Sequence, residues 1–214
     1  MADGVLYKFN ATTWSKSQAK KFNATTISDG QARHANATSW FDNYPMEQSY
    51  VQTFAATWSQ GWRGDGVRLD DGVWQGNILV GSTTNYRGMI GFSQSAIASF
   101  IAGGTVTAAR LLINCYETTT NGAPDVEIGK HTYTAKPAGT WTLQNSYWTD
   151  LSNLHVPNGA TGGYWVTLKP SQILNNGVAI GGVALRGQAA TDENHGKFSG
   201  VSSFSSKLEI TVLK

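Results

Sequence analysis

The stretch Trp58-Ser59-Gln60-Gly61-Trp62-Arg63-Gly64-Asp65-Gly66-Val67-Arg68 decides the fold class, together with its continuation through Trp74-Gln75-Gly76 to Arg87-Gly88-Met89-Ile90-Gly91-Phe92. It holds three of the eight tryptophans, with glycines at 61, 64, 66, 72, 76 and 81. The glycines leave runs too short for helices: Thr57-Trp58, Val67-Arg68-Leu69, Val73-Trp74-Gln75 and Ile78-Leu79-Val80. These runs are rich in the aromatic and β-branched residues that fit a pleated surface. Asp70-Asp71-Gly72 is a tight-turn signal between two of them. Glycines inside Arg87–Phe92 predict close backbone approach or a bulge. The stretch therefore reads as short hairpin strands, the opening sheet of a β-sandwich, with Trp58, Trp62 and Trp74 in the core.

Downstream, residues 93–104 form the best helical segment. Ser93 or Ser95 can cap it, Ile97, Phe100 and Ile101 give one apolar face, and Gly103 ends it. At about two turns it is a lid, not a layer. Thr105 to Glu117 is long and mostly apolar, as expected of a central strand buried on both sides. Val126 to Tyr133 alternates and is expected to pair with the strand before it. Residues 134–163 are looser and rich in Pro and Gly. Tyr164 to Leu168 is a strand, 171–177 a single helical turn with a Gly stop, and Ile180 to Leu185 a buried strand. In Lys207 to Val212, Leu208, Ile210 and Val212 should face in, and Glu209 and Thr211 out. About ten short strands without crossover helices predict an all-β antiparallel sandwich of jelly-roll type.

Upstream, residues 7–45 contain a repeat with a period of 13 residues. Phe9-Asn10-Ala11-Thr12-Thr13-Trp14 aligns with Phe22-Asn23-Ala24-Thr25-Thr26-Ile27 and with Ala35-Asn36-Ala37-Thr38-Ser39-Trp40. Each unit reads as strand, turn at Asn-Ala, and return strand. An isolated hairpin is marginal in water, so the segment is expected to dock or oligomerise. The three Asn-Ala-Thr triplets have the form of glycosylation acceptors, but the turn repeat already explains their spacing. The boundary is placed near residue 48, giving a repeat segment (1–48) and a sandwich (49–214).

Charged residues make up only 14% of the 214 residues, and Ser, Thr, Asn and Gly fill the gap. A net charge of +2 is too small for a nucleic-acid footprint. A single cysteine, Cys115, excludes an internal disulfide and reads as a buried strand residue. The N-terminus lacks the pattern of a secretory signal, and no apolar run reaches a membrane span. The expectation is no nucleic acid, no membrane insertion, and release by lysis or in a particle.

The order Gly61-Trp62-Arg63-Gly64-Asp65-Gly66, Trp74-Gln75-Gly76, Arg87–Phe92, short helix, Ala109-Arg110-Leu111, His131-Thr132-Tyr133, Gly196-Lys197-Phe198-Ser199-Gly200 and Lys207-Leu208-Glu209-Ile210 resembles DNRLRE-type β-sandwich modules. Such modules end phage minor structural proteins and occur as non-catalytic domains of secreted carbohydrate-active enzymes. The hexapeptide that names the family is absent. The N-terminal units resemble the Lys-x-Phe-Asn-x-Thr-x-Trp repeats of phage tail and fibre proteins of Gram-positive hosts. The resemblance implies a virion protein, a homotrimer in contact with other virion proteins, and a jelly roll that binds cell-surface polysaccharide.

No histidine has metal-ligand spacing, no nucleophile elbow occurs, and nothing selects a carboxylate pair, so no catalytic function is expected. Arg63-Gly64-Asp65 has the form of an integrin tripeptide, but a Gly-rich turn accounts for it. Asp65, Asp70 and Asp71 lie within seven residues among glycines and form a candidate structural calcium site, although the spacing is not that of an EF-hand. Sugars are held by aromatic faces helped by a few polar groups. Trp141, Tyr147, Trp148 and Trp165 are the candidate rings, with Asn145 and Asp150 as polar partners. At least two of Arg63, Arg68, Arg87 and Arg110 are expected to form buried or half-buried pairs with Asp65, Asp70 or Glu117. Three functions compete: a virion adhesin, a ligand-free capsid or tail decoration protein, and a carbohydrate-binding module of a secreted bacterial protein.

Overall fold

A computed structural model describes residues 47–63, 68–69, 72–77, 85–118, 125–138, 150–187, 195–201 and 205–214. The repeat segment lies outside these residues, as do Asp65, Asp70, Asp71, Trp141, Asn145, Tyr147 and Trp148. Glu47–Lys214 is one compact unit.

The strands are β1 (Ser49–Ala55), β2 (Trp58–Trp62), β3 (Arg68–Leu69), β4 (Gly72–Asn77), β5 (Asn85–Gly91), β6 (Thr105–Thr118), β7 (Asp125–His131), β8 (Asp150–His155), β9 (Gly162–Thr167), β10 (Leu174–Asn175), β11 (Val178–Ala179), β12 (Gly182–Gly187), β13 (His195–Ser199) and β14 (Lys207–Leu213). One helix, α1 (Gln94–Ile101), lies between β5 and β6. A 12-stranded curled sheet runs β1-β14-β6-β13-β4-β5-β12-β7-β8, with β9 on β6 and β2-β3 on β5. Its ladders are antiparallel.

The curl makes two layers. In one, β14 and β13 take successive stretches of one edge of β6, and β9 takes the other edge. This gives the order β1-β14-β6-β9. The facing layer is β5-β12-β7-β8. The chain crosses between layers from β5 to β6 to β7, and again from β8 to β9 to β12. That is the double Greek key of a jelly roll. β4 and β5 form the corner that joins the layers.

The core between the layers holds Leu111, Ile113, Leu208, Ile210 and Val212 from one side, and Ile90, Val126, Ile128, Val183 and Leu185 from the other. Leu208, Ile210 and Val212 face in as their alternation requires, and Cys115 is buried beside them. Ser93 caps α1, its hydroxyl accepting from the Ala96 amide at 3.4 Å, and Ile97 and Ile101 seal the core. The helix ends at Ala102, with Gly103 following at φ +72°.

Four expectations change. β6 is buried on one face only: Ala109, Leu111, Ile113 and Cys115 point in, while Arg110 and Tyr116 are exposed. A two-residue period inside an apolar run decided this, not the run's length. β7 does not pair with β6. It crosses to the other layer, between β12 and β8, because a jelly roll alternates layers. Trp62 is fully buried, but outside the main core: with Met89 and Ala184 it forms a second cluster, against which Trp58 packs. Ile90 and Val183 point into the main core, so Met89 and Ala184, one residue along, lie on the opposite face of their layer. Trp74 is half-buried against Tyr86, at 5.4 Å between ring centroids. The turn expected at 171–177 is a short 3-10 turn at Pro170–Gln172, followed by the β10-β11 hairpin around Asn176 and Gly177, both with positive φ.

Candidate functional site

The outer face of β14-β6-β9 carries the most distinctive exposed chemistry. Alternation turns Arg110, Leu112 and Asn114 of β6 outward, with Lys207 and Glu209 of β14 and Trp165 and Thr167 of β9. The registers place Glu209 and Thr167 on either side of Arg110, and Lys207 and Trp165 on either side of Leu112. Trp165 is thus the diagonal neighbour of Arg110, within reach of a long side chain.

The Arg110 Nε donates to Glu209 Oε1 at 2.6 Å. Its guanidinium carbon sits 4.3 Å from the centre of the Trp165 ring. The hydrogen bond to Glu209 raises the Arg110 pKa above its ordinary value, so the charge is fixed. Trp165 is 45% exposed, so much of the indole meets solvent while Arg110 lies over the ring. Gly163 leaves a bare strip of backbone on the same face: a Cβ there would come within 2.8 Å of Asn114 Oδ1 and 3.3 Å of a Leu112 methyl. At the far end of β6, Tyr116 is 48% exposed at the bulge where the register with β13 shifts. The result is a flat surface of ring, methyl, amide and a fixed ion pair.

Next to it, Lys197 is enclosed. Its Nζ lies 2.5 Å from Glu117 Oε1 and 4.3 Å from the centre of the Trp74 ring. The Lys197 hydrogen bond holds the Glu117 carboxyl below its usual pKa against the opposing effect of burial. His195 Nε2 is 3.8 Å from the same carboxylate oxygen. The Lys197 and Glu117 charges answer one another.

Of the six residues expected to bind glycan, Trp165 and Asp150 are described, and each has a different partner. Asp150 accepts from Lys169 Nζ at 2.6 Å through Oδ2, and its Oδ1 is buried without a hydrogen-bond partner. Of the expected arginine partners, Asp65 and Asp70 lie outside the described residues; Arg110 pairs instead with Glu209, and Glu117 is taken by Lys197. The geometric reason is register, since Glu209 lies directly across from Arg110, whereas Glu117 lies seven residues along the same strand. Arg87 has its pKa lowered by burial and by the like charge of Arg186, which itself pairs with Glu127. Among the described residues no group of three or more His, Cys, Asp and Glu could hold a metal ion. The candidate calcium ligands lie outside those residues.

Sequence reasoning missed Leu112, Asn114, Tyr116 and Glu209 as members of one surface. The signal was present as the alternation of β6 and β14, but only register shows which outward residues meet. An open groove of about 420 Å³ beside the start of α1, lined by Gln94, Ser95, Thr134 and Val178, has no charged group on its wall. The chain matches no protein-family model, and no curated protein matches it in sequence.

Proposed function

We propose that the jelly roll is the ligand-binding module of a virion adhesin or fibre protein, and that its ligand is a polysaccharide of the host cell surface. One observation carries the choice of ligand: a half-exposed tryptophan on a flat sheet face, braced by an arginine whose charge is fixed by a glutamate. An exposed indole offers a flat apolar surface to sugar C–H groups, and guanidinium, carboxylate and amide groups beside it can bond hydroxyls. Such a site suits an extended polymer better than a small enclosed ligand. The motif order of the DNRLRE-type modules and the fibre-type repeats support a place on a virion. Ligand binding needs no catalytic group and no cofactor.

The test is retention of the full chain on host cell-wall polysaccharide. Trp165→Ala should weaken retention about tenfold or more, the loss of roughly 1.4 kcal/mol or more of binding energy. Arg110→Ala should weaken it less and leave folding stability within about 1 kcal/mol, since exposed ion pairs are worth little. Trp141→Ala and Trp148→Ala test the segment between β7 and β8 in the same assay. Retention unchanged by Trp165→Ala would remove this face from the binding site.

A second reading, a ligand-free decoration protein, is favoured by the Arg110 guanidinium that already lies over the Trp165 ring. It predicts no binding to any host envelope and co-sedimentation with particles.

A further inference from the structure

Among the described residues one edge of β1 is left open, and it is built to accept a strand. Gln48 and Lys214 exchange backbone hydrogen bonds of 2.6 and 3.0 Å, and the Ala56 amide donates to the Ser206 carbonyl at 2.9 Å. Between these points Tyr50, Gln52 and Phe54 face Val212, Ile210 and Leu208. The alternation of an antiparallel ladder therefore aims the backbone groups of the even-numbered residues at β14. Ser49, Val51, Thr53 and Ala55 aim theirs the other way. Among the described residues, β14 is the only strand that pairs with β1.

Proteins blunt such edges with charge, proline, a bulge or shortness. β1 has none of these: it is seven residues, Ser-Tyr-Val-Gln-Thr-Phe-Ala, in unbroken register with β14. It also displays two large apolar side chains, Tyr50 at 45% exposure and Val51 at 60%.

We propose that β1 pairs antiparallel with β1 of a second copy of this chain, about a two-fold axis at Gln52. The β1-β14-β6-β9 layers of the two copies then form one continuous sheet. The strand itself identifies this partner. A two-fold contact requires a surface complementary to itself. β1 is near-symmetric about Gln52: β-branched Val51 and Thr53, aromatic Tyr50 and Phe54, small Ser49 and Ala55. With Gln52 opposite itself, the whole strand overlaps, and the backbone groups of Ser49, Val51, Thr53 and Ala55 all find partners. Val51 meets Thr53 of the second copy on the outer face. On the inner side Tyr50 meets Phe54 of the second copy, at the margin of the core. No like charges oppose one another.

The register gives a charge-swap test on the full chain, read as mass by light scattering. Wild type should run at about twice the 23.0 kDa of one chain. V51K/T53K sets lysine against lysine across the axis twice and should halve the mass. V51K/T53E sets lysine against glutamate twice and should restore it. Both positions are exposed, so each variant should keep the β-rich circular dichroism of the wild type. If V51K/T53K fails to fold, Thr53→Pro removes an amide that β14 does not use and should likewise give single chains. A monomeric wild type overturns the proposal. So does any assembly, including one of three copies, whose mass V51K/T53K leaves unaltered, and so does a V51K/T53E variant that stays monomeric.

Discussion

His131 shows what one buried polar side chain imposes on this fold. Its ring packs 5.2 Å from Trp58 and 5.8 Å from Tyr133, centroid to centroid. Nε2 lies 3.1 Å from the Ile90 carbonyl oxygen, so the neutral Nε2–H tautomer donates there, and Nδ1 is buried without a partner. Burial lowers the pKa from 6.5 to about 4, opposed only in part by the Ile90 carbonyl. The unfolded chain therefore takes up the proton first as pH falls. Stability should be level above about pH 6.5, decline through the interval down to about 4, and flatten below it. At 1.36 kcal/mol per pH unit the fall is roughly 3 kcal/mol. Urea midpoints at pH 7, 5.5 and 4.5 would measure it. His131→Gln keeps a donor for Ile90 and should abolish the slope in that window; an unchanged slope would sink the assignment. Glu117 acts in a separate window. Its depressed pKa makes its contribution full above the unfolded value of 4.5 and lost at lower pH. In the sequence His131 is one of four histidines without metal-ligand spacing, and nothing local marks it as buried. Only the pairing of β7 with β12, which brings Gly182 opposite it, creates the pocket.

At the scale of elements, legibility followed period. β14 was readable because each apolar residue alternates with a polar one. β6 departs from its reading because the outward Ala108, Leu112 and Tyr116 blur the alternation into an apolar run. The helix was legible from its cap and its spacing. The glycines of β5 were legible as close approaches but not as to what. A Cβ on Gly91 would lie 2.0 Å from the Trp58 indole, and one on Gly88 would lie 2.4 Å from a Val73 methyl. Trp58 faces Gly91 in the β2-β5 ladder, so the strand is kept bare where the indole crosses it. Gly91→Ala should force the ring off the sheet and cost about 1–3 kcal/mol, the range for overpacking. In a domain of this size that is a fall of roughly 2–12 °C in Tm. Calorimetry measures the fall, and tryptophan emission should shift red as Trp58 meets water. Gly103→Ala is the control, since nothing lies within 4 Å of its added carbon, although its φ of +72° carries a local backbone strain. A Gly91→Ala protein as stable as wild type would mean that the Trp58 ring is not held against the sheet.

At the scale of the molecule, the first and last strands close the jelly roll on each other. β1 pairs with β14 along its whole length, and Gln48 is bonded to Lys214. Turn signals and strand periods could yield a count of strands and the fold class. They could not show that residues 160 apart form a ladder, because nothing local in either strand names its partner. The candidate face had the same fate: Trp165 was visible as an aromatic in a strand, whereas its company of Arg110 and Glu209 depends on β6 lying between β9 and β14. The closure makes a sharp prediction about truncation. A chain beginning at Glu47 keeps β1 and the core and should unfold in one cooperative transition with the β-rich circular dichroism of the full protein. A chain beginning at Thr57 loses β1 and with it Phe54, buried at the margin of the core and stacked edge-on against Phe100 at 5.9 Å. It would bare the unpaired edge of β14 and the flank of Leu208 and Ile210. The loss of Phe54 packing alone is worth about 3–5 kcal/mol on the scale of aromatic truncations, a large share of the 5–15 kcal/mol that holds a typical domain. That shorter chain should aggregate or melt without a cooperative transition, as read by sedimentation and calorimetry. Equal stability of the two truncations would mean that β1 is an appendage and the fold closes elsewhere.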